Sequence, residues 1–329
     1  MKLAILFHDN CFDGLASAGL FHAFAARHLG RDLRFVFGGL AHSPPGDGGN
    51  SSSTGALGPA RLIGDVNAVV DFRYIADERL HWWFDHHKSA FATEEDRRHF
   101  EQDVSGKKYF DPSAPSCAGF LAAALARDHG FEHAEFQELI RWADIIDSAR
   151  FSSPRMAVEL KEPALRLMTW IENSTSFDER TEVILRLTRE PLGELVKAPF
   201  ISKGLEPLLE RHWRTVEAVK KRHRLEGAVV WCDMTDEPLL GMNKFTPYHL
   251  QPNAKYAVIV TRSDSRSKVS VGYNPWAPAE EREHDIASLC ERYGGGGHAV
   301  VGAISLARDQ AGRAVAIGRE IVETLNRER

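Results

Sequence analysis

The chain opens with short apolar runs that stop abruptly at polar residues. Leu3 to Phe7 is continuously apolar and then gives way to His8-Asp9-Asn10, the pattern of a parallel strand buried on both faces. Leu33 to Phe37, Ala68-Val69-Val70-Asp71-Phe72 and Trp82-Trp83-Phe84-Asp85 read as further strands, with a helix end feeding the last as the alternative. Between the first two, the Ala-rich stretch Gly14 to Phe24 predicts a helix. Ser116 to Arg127 and Glu135 to Asp147 have the amphipathic spacing of helices that cover a sheet. Three of these strands end in polar residues at their C-terminal side, where an open α/β sheet binds ligands.

The run from Ser43 to Gly55 consists of chain breakers and small polar residues with nothing to bury, and is expected to be a mobile surface loop. Residues 164–226 are helical in pattern and rich in charge, as suits a connector. From Gly227 the pattern changes. Ala228 to Trp231, Tyr256 to Thr261 and Lys268 to Tyr273 are strand-like, Ile286 to Tyr293 and Gln310 to Arg329 helical. The expected fold is α/β: an N-terminal domain over 1–163 with a mostly parallel sheet flanked by helices, a helical connector over 164–226, and a smaller C-terminal α/β domain over 227–329. No internal repeat is visible.

Composition narrows the function. The 329 residues are 43% hydrophobic and 26% charged, enough for a sizeable core. A net charge of -5 argues against coating duplex DNA through a broad basic face, because such binding runs on phosphate neutralisation, but is compatible with short or single nucleotides. Cys11, Cys117, Cys232 and Cys290 form no Cys-x-x-Cys pair, so neither a zinc ribbon nor a disulfide framework is expected. The N-terminal apolar run is too short for a signal sequence, and no stretch approaches the roughly 20 apolar residues of a membrane span. A soluble, cytoplasmic protein with reduced thiols is the expectation.

Chemistry concentrates in five places. His8-Asp9-Asn10-Cys11-Phe12-Asp13-Gly14 lies at a strand-to-helix turn; its imidazole and carboxylates suit a divalent cation, while Asp-Gly alone is equally a turn or a helix cap. Asp71 ends an apolar run, where a cap or surface turn is the alternative. Asp85-His86-His87 emerges from a bulky apolar segment, an expensive placement unless metal or phosphate compensates it. Asp144 and Asp147 lie near the end of a helix, and solvation or capping would account for either. Gly294-Gly295-Gly296-Gly297-His298 is costly in conformational entropy, which points to a packing reason or a backbone anion cradle, with a flexible loop as the alternative.

In this order the clusters resemble the Asp-His-His phosphoesterase superfamily with its associated C-terminal domain, which includes nanoRNases, 3'-phosphoadenosine 5'-phosphate phosphatases, RecJ-type exonucleases and cyclic-dinucleotide phosphodiesterases. The matching residues are Asp71-Phe72, Asp85-His86-His87, the helix start Ser116-Cys117-Ala118-Gly119, Asp144 and the glycine run with His298. The resemblance implies two divalent ions, Mn²⁺ with Mg²⁺ or Co²⁺ as alternatives, held by His8, Asp13, Asp71, His86 and Asp144, with Asp71 bridging. It implies that His87 contacts phosphate, that Asp85 orients the imidazoles, and that Gly295, Gly296, Gly297 and His298 bind substrate. The first motif departs from its relatives at Cys11 and Leu15, and His8 is displaced by one residue, leaving Asp9 as a competing first ligand. Cys11 is read as a packed thiol beside the site. Val271-Gly272-Tyr273 lacks an arginine found in some relatives, for which Arg262 or Asn274 could substitute.

The activity so implied is metal-dependent hydrolysis of short oligonucleotides or linear dinucleotides to mononucleotides. A phosphatase for 3'-phosphoadenosine 5'-phosphate or polyphosphate is the alternative within the same chemistry, and a catalytically decayed nucleotide-binding regulator the alternative outside it. Oligomeric state is left open, a homodimer included.

Overall fold

The computed structural model describes residues 1–30, 32–41, 54–55, 57–239 and 241–327. They fall into two compact units, one of residues 1–150 with 161–206, the other of residues 151–160 with 207–329. The run from Ser43 to Gly55 lies outside the described residues except for Thr54 and Gly55.

In the first unit, β1 (Lys2–His8), β2 (Arg34–Leu40), β3 (Thr54–Gly55), β4 (Val66–Val70), β5 (Trp82–Asp85) and β6 (Lys108–Phe110) form a six-stranded sheet in the order β3-β2-β1-β4-β5-β6. Every pairing is parallel, with Ile5 opposite both Phe37 and Ala68. The uninterrupted apolar runs follow from this: Leu3 to Phe7, Ala68 to Val70 and Trp82 to Phe84 are buried in the sheet's interior. The chain starts in the middle of the sheet, builds outward through β2 and β3, and then returns to β4 on the other side of β1. That reversal makes the C-terminal ends of β1 and β4 the crevice where ligands bind in open α/β sheets.

Helix α1 (Phe12–His28) is buried on all sides from Phe12 to Ala25. Its Ala- and Gly-rich sequence allows the close packing of α3 (Cys117–His129) and α4 (Gln137–Asp147) against it; α2 (Glu94–Glu101) is a short surface helix capped by Thr93 and Asp96. A small helix, α5 (Pro154–Glu159), belongs to the second unit. Next come α6 (Pro163–Asn173), α7 (Phe177–Leu187) and α8 (Leu192–Leu195), all in the first unit. The division between units falls within α9 (Pro199–Arg222), which contains Pro207. The helical stretch expected as a connector is therefore shared between the two units. The reason is chemical: Arg180 of α7 is buried and forms an ion pair with Asp9, 2.7 Å from Nε to Oδ1, which fastens α7 to the end of β1.

The second unit contains β7 (Arg224–Glu226), β8 (Val229–Pro238), α10 (Thr246–Leu250), β9 (Tyr256–Arg262), β10 (Arg266–Tyr273), α11 (Ile286–Glu291), β11 (Gly296–His298), β12 (Val301–Ala307) and α12 (Ala311–Leu325). Its sheet has the order β11-β12-β10-β9-β8-β7, antiparallel except between β8 and β9. Trp231, Val258, Val269, Val271 and Ile304 pack against Ile317 and Ile321 of α12. The sequence indicated the central strands and α12; β11 and β12 went unseen because Gly and Ser dilute their apolar signal. No helix among the described residues is long and apolar enough to cross a membrane.

Candidate metal centre

The reversal point of the first sheet gathers the residues that the sequence singled out. His8 is the last residue of β1, Asp71 follows β4, and Asp85 closes β5 with His86 and His87 just beyond. Asp71 sits at φ +55, a left-handed conformation that costs a non-glycine residue about 1–3 kcal/mol and concentrates at functional sites. The position is fixed from both sides. Asp71 donates its N–H to the Phe84 carbonyl at 2.9 Å, and the Trp83 indole donates to the Phe72 carbonyl at 2.8 Å. Gly14 completes the turn into α1, where a Cβ would lie 2.0 Å from the His8 carbonyl oxygen, so no side chain fits.

The two oxygens of Asp71 face different groups. Oδ2 lies 3.4 Å from His8 Nδ1, and Oδ1 lies 3.6 Å from His86 Nε2 and 3.8 Å from His87 Nδ1. Asp71 is 1% exposed, yet neither oxygen has a hydrogen-bond partner. His86 points its Nε2 at Asp71, at Asp13 Oδ2 (3.7 Å) and at Asp147 Oδ2 (3.4 Å), again without a hydrogen bond. Its Nδ1 is 3.0 Å from the Ala114 carbonyl, which can only accept, so Nδ1 carries a proton and Nε2 is the ring atom turned toward the clustered carboxylates. Such an arrangement is repulsive alone and attractive around a cation. Ligand atoms bonded to one ion at about 2.0–2.2 Å stand about 3–4 Å apart, which these separations match. The donor set, imidazole and carboxylate, fits a divalent ion.

Two groups share Asp71, one with His8 and Cys11 and the other with His86 and His87, and a third, Asp13 with His86 and Asp147, joins them at His86. Of the residues read as ligands, His8, Asp13, Asp71 and His86 come together here, and Asp144 does not. The late carboxylate in the cluster is Asp147, the last residue of α4; Asp144 accepts instead from the Ser116 hydroxyl and packs on Gly119 at the start of α3. Asp9 is likewise engaged elsewhere, with Arg180, which leaves His8 as the residue of β1 that faces Asp71. Asp13 is fixed by the backbone N–H groups of Cys117 (2.7 Å) and Ala118 (3.0 Å), so the small residues of the Ser-Cys-Ala-Gly helix start let this carboxylate approach α3. Asp85 Oδ1 accepts from the His86 and His87 N–H groups and, at 2.6 Å, from His87 Nδ1.

Neither family models nor curated protein sequences match this chain. Solved structures do. The pGpG-specific phosphodiesterase PggH from Vibrio cholerae superposes with a TM-score of 0.68 at 18% identity, with 99% of each chain covered. A DHH-domain member of the s1p family of ribosomal proteins gives a TM-score of 0.56 at 10% identity over 99% of this chain and 87% of its own. RecJ from Thermus thermophilus in complex with Mn²⁺ is a looser likeness, with a TM-score of 0.49 at 14% identity over 98% of this chain and 52% of its own.

The fold of this chain is that of PggH and of the DHH-domain protein. Within that fold, Asp85-His86-His87 is the segment after β5, held as described. The glycine run lies in the second unit, where Gly296 to His298 pair with Val301 to Ala303 as β11. Gly297, at φ +155, would carry a Cβ 2.2 Å from the Val301 carbonyl, and Gly295 one 2.3 Å from that of Ala303, so close backbone approach within the hairpin explains these glycines. Gly294 and Gly295 donate their N–H groups to Glu291 and Cys290. Asn274, considered as a stand-in for the missing arginine, is buried and bonds Pro252, Ala254 and Trp276, so it serves the fold.

The carboxylates of this candidate centre are electrostatically strained. Burial, followed by the charges of Asp13, Asp85 and Asp147, holds Asp71 well above the usual carboxylate range. Burial and Asp147 push Asp13 up to about 6, opposed by His86 and the Ala118 and Cys117 N–H groups. For an acid whose folded pKa exceeds its unfolded value, the folded state holds the extra proton, so stability falls as pH rises from the unfolded to the folded pKa. For Asp13 that window runs from 3.8 to about 6. A cation relieves the repulsion that remains above it. Mn²⁺ is therefore expected to raise the melting temperature more at about pH 7.5 than at about pH 5. Equal shifts at both pH values in a thermal melt would count against a metal held by these carboxylates.

Proposed function

We propose that the chain is a divalent-metal-dependent phosphodiesterase that hydrolyses linear dinucleotides and short oligonucleotides to mononucleotides. The observation that supports this most is the buried, unpartnered pair of Asp71 oxygens, each turned toward its own set of ligand-type side chains. His8, Asp13, Asp71, His86 and Asp147 would hold two ions, with Asp71 shared between them. When bound, such ions acidify a water and offset charge developing on phosphoryl oxygens. Mn²⁺ is the ion we propose for the centre, with Mg²⁺ or Co²⁺ able to replace it.

His87 has a different part. Its Nδ1 is committed to Asp85, which leaves Nε2 to donate to a phosphoryl oxygen. Burial disfavours its protonated form, but the Asp85 hydrogen bond and charge, with those of Asp147 and Asp13, outweigh burial and raise its pKa above 6.5. A cationic His87, one-third exposed, would orient a phosphate and balance its charge. Gly295, Gly296, Gly297 and His298 of the second unit are proposed to bind nucleotide.

Substrate length follows from two considerations: the net charge of -5 disfavours long polyanions, and PggH is specific for the linear dinucleotide pGpG. The test is a panel of RNAs of about two to seven nucleotides, pGpG, 3'-phosphoadenosine 5'-phosphate and polyphosphate, incubated with Mn²⁺ and resolved over time. Dinucleotides are expected to be cleaved fastest. Faster release of phosphate from 3'-phosphoadenosine 5'-phosphate or polyphosphate would replace this reading with a phosphatase, and tight nucleotide binding without turnover would replace it with a regulator.

A further inference from the structure

Cys11 occupies the boundary between β1 and α1 in an extended conformation, φ -127 and ψ 135, and its side chain makes no capping bond to the helix it precedes. Its Sγ, a His8 ring nitrogen and an Asp71 oxygen all lie within 4.8 Å of one another. The Asp71 oxygens are buried and lack hydrogen-bond partners, which independently marks this spot as a cation position. The nearby thiol of Cys117 differs: it is fully buried and contacts the Phe84 carbonyl at 3.4 Å, outside the ligand groups.

We infer that Cys11 is a direct ligand, through its thiolate, of the ion held by His8 and Asp71. This rests on the metal-centre reading above and deepens it. A sulfur–metal bond forms, the thiol proton passes to solvent, and no electron is transferred. The two halves of the centre then differ in chemistry. The Asp13, His86 and Asp147 group offers one nitrogen and two carboxylates, whereas the His8, Cys11 and Asp71 group offers nitrogen, sulfur and oxygen. Thiolate favours borderline and soft ions such as Zn²⁺ and Co²⁺ over Mn²⁺ and Mg²⁺. The first half therefore prefers Zn²⁺ or Co²⁺ to Mn²⁺ more strongly than the second half does.

Titration of the metal-free full-length protein with Co²⁺ tests this. A near-ultraviolet sulfur-to-cobalt charge-transfer band is expected alongside the visible ligand-field bands. Cys11→Ser should remove the charge-transfer band, keep ligand-field absorption, and weaken Co²⁺ and Zn²⁺ binding at least about tenfold while changing Mn²⁺ binding far less. Cys117→Ser should keep the band. Should Cys11→Ser fail to fold, alkylation of the unsubstituted protein decides: bound Zn²⁺ should shield Cys11 from iodoacetamide, as read by mass spectrometry. Ligand-field bands without charge transfer, or a charge-transfer band that survives in Cys11→Ser, would overturn the role of Cys11 and leave the metal centre standing. Absence of any Co²⁺ binding would overturn both.

Discussion

Asp71→Asn is expected to lower phosphodiester hydrolysis about 10³-fold, roughly 4 kcal/mol of lost transition-state stabilisation, and to raise the melting temperature of the metal-free protein. Both effects come from one geometry. The two Asp71 oxygens divide between the His8 group and the His86 group, so a single substitution weakens both halves of the centre. Asparagine is the informative replacement because it keeps the volume and tolerates the left-handed φ of +55, where alanine would add backbone strain. The rise in melting temperature follows from the charges around Asp71. Burial and those charges hold its carboxyl well above the usual range, so keeping it in the metal-free fold costs stability at neutral pH, and a neutral amide avoids that cost. Metal content by elemental analysis, hydrolysis and a thermal melt check the claim together. An Asp71→Asn protein that kept two ions and full activity would end the case for a shared carboxylate.

Most of this centre could be read along the chain because its donors follow strands whose apolar runs are unambiguous. Leu3 to Phe7, Ala68 to Val70 and Trp82 to Phe84 all lie in one parallel sheet, and in such a sheet residues at the C-terminal ends meet. Two things were hidden. Neither the fate of Asp9 nor the tie between α7 and β1 could be seen, because Arg180 lies 171 positions away from Asp9 and a lone arginine in an amphipathic helix has no signature of its buried partner. The role of Cys11 was hidden for a related reason: a thiol beside carboxylates reads as packing until its sulfur is seen among ligand atoms. The glycine run was read as costly, and its local explanation is the β11–β12 hairpin, whose second strand mixes Gly, Ala and Ser among its apolar residues and so lacks a clear strand pattern.

The same blindness affected α4, where Asp144 and Asp147 are one turn apart on a single helix, about 4.5 Å along its axis. Sequence spacing cannot rank two carboxylates so placed; their partners can. Asp144 is occupied by Ser116, whose hydroxyl also accepts from the Gly119 N–H and so caps α3. Asp147 reaches past the helix end to His86 Nε2 at 3.4 Å and adds to the charge that raises Asp13. Asp147→Asn is therefore expected to cut activity about 10²–10³-fold with loss of one ion, because one of the three donors of its group is neutralised. Asp144→Asn should retain both ions and stay within about tenfold of full activity, and should cost about 1–2 kcal/mol of stability through the weakened bond between α3 and α4. Parallel metal analysis, steady-state kinetics and denaturant unfolding separate the two. The reverse pattern, with ions lost in Asp144→Asn and kept in Asp147→Asn, would return the late ligand to Asp144 and require α4 to be rotated from the position it has here.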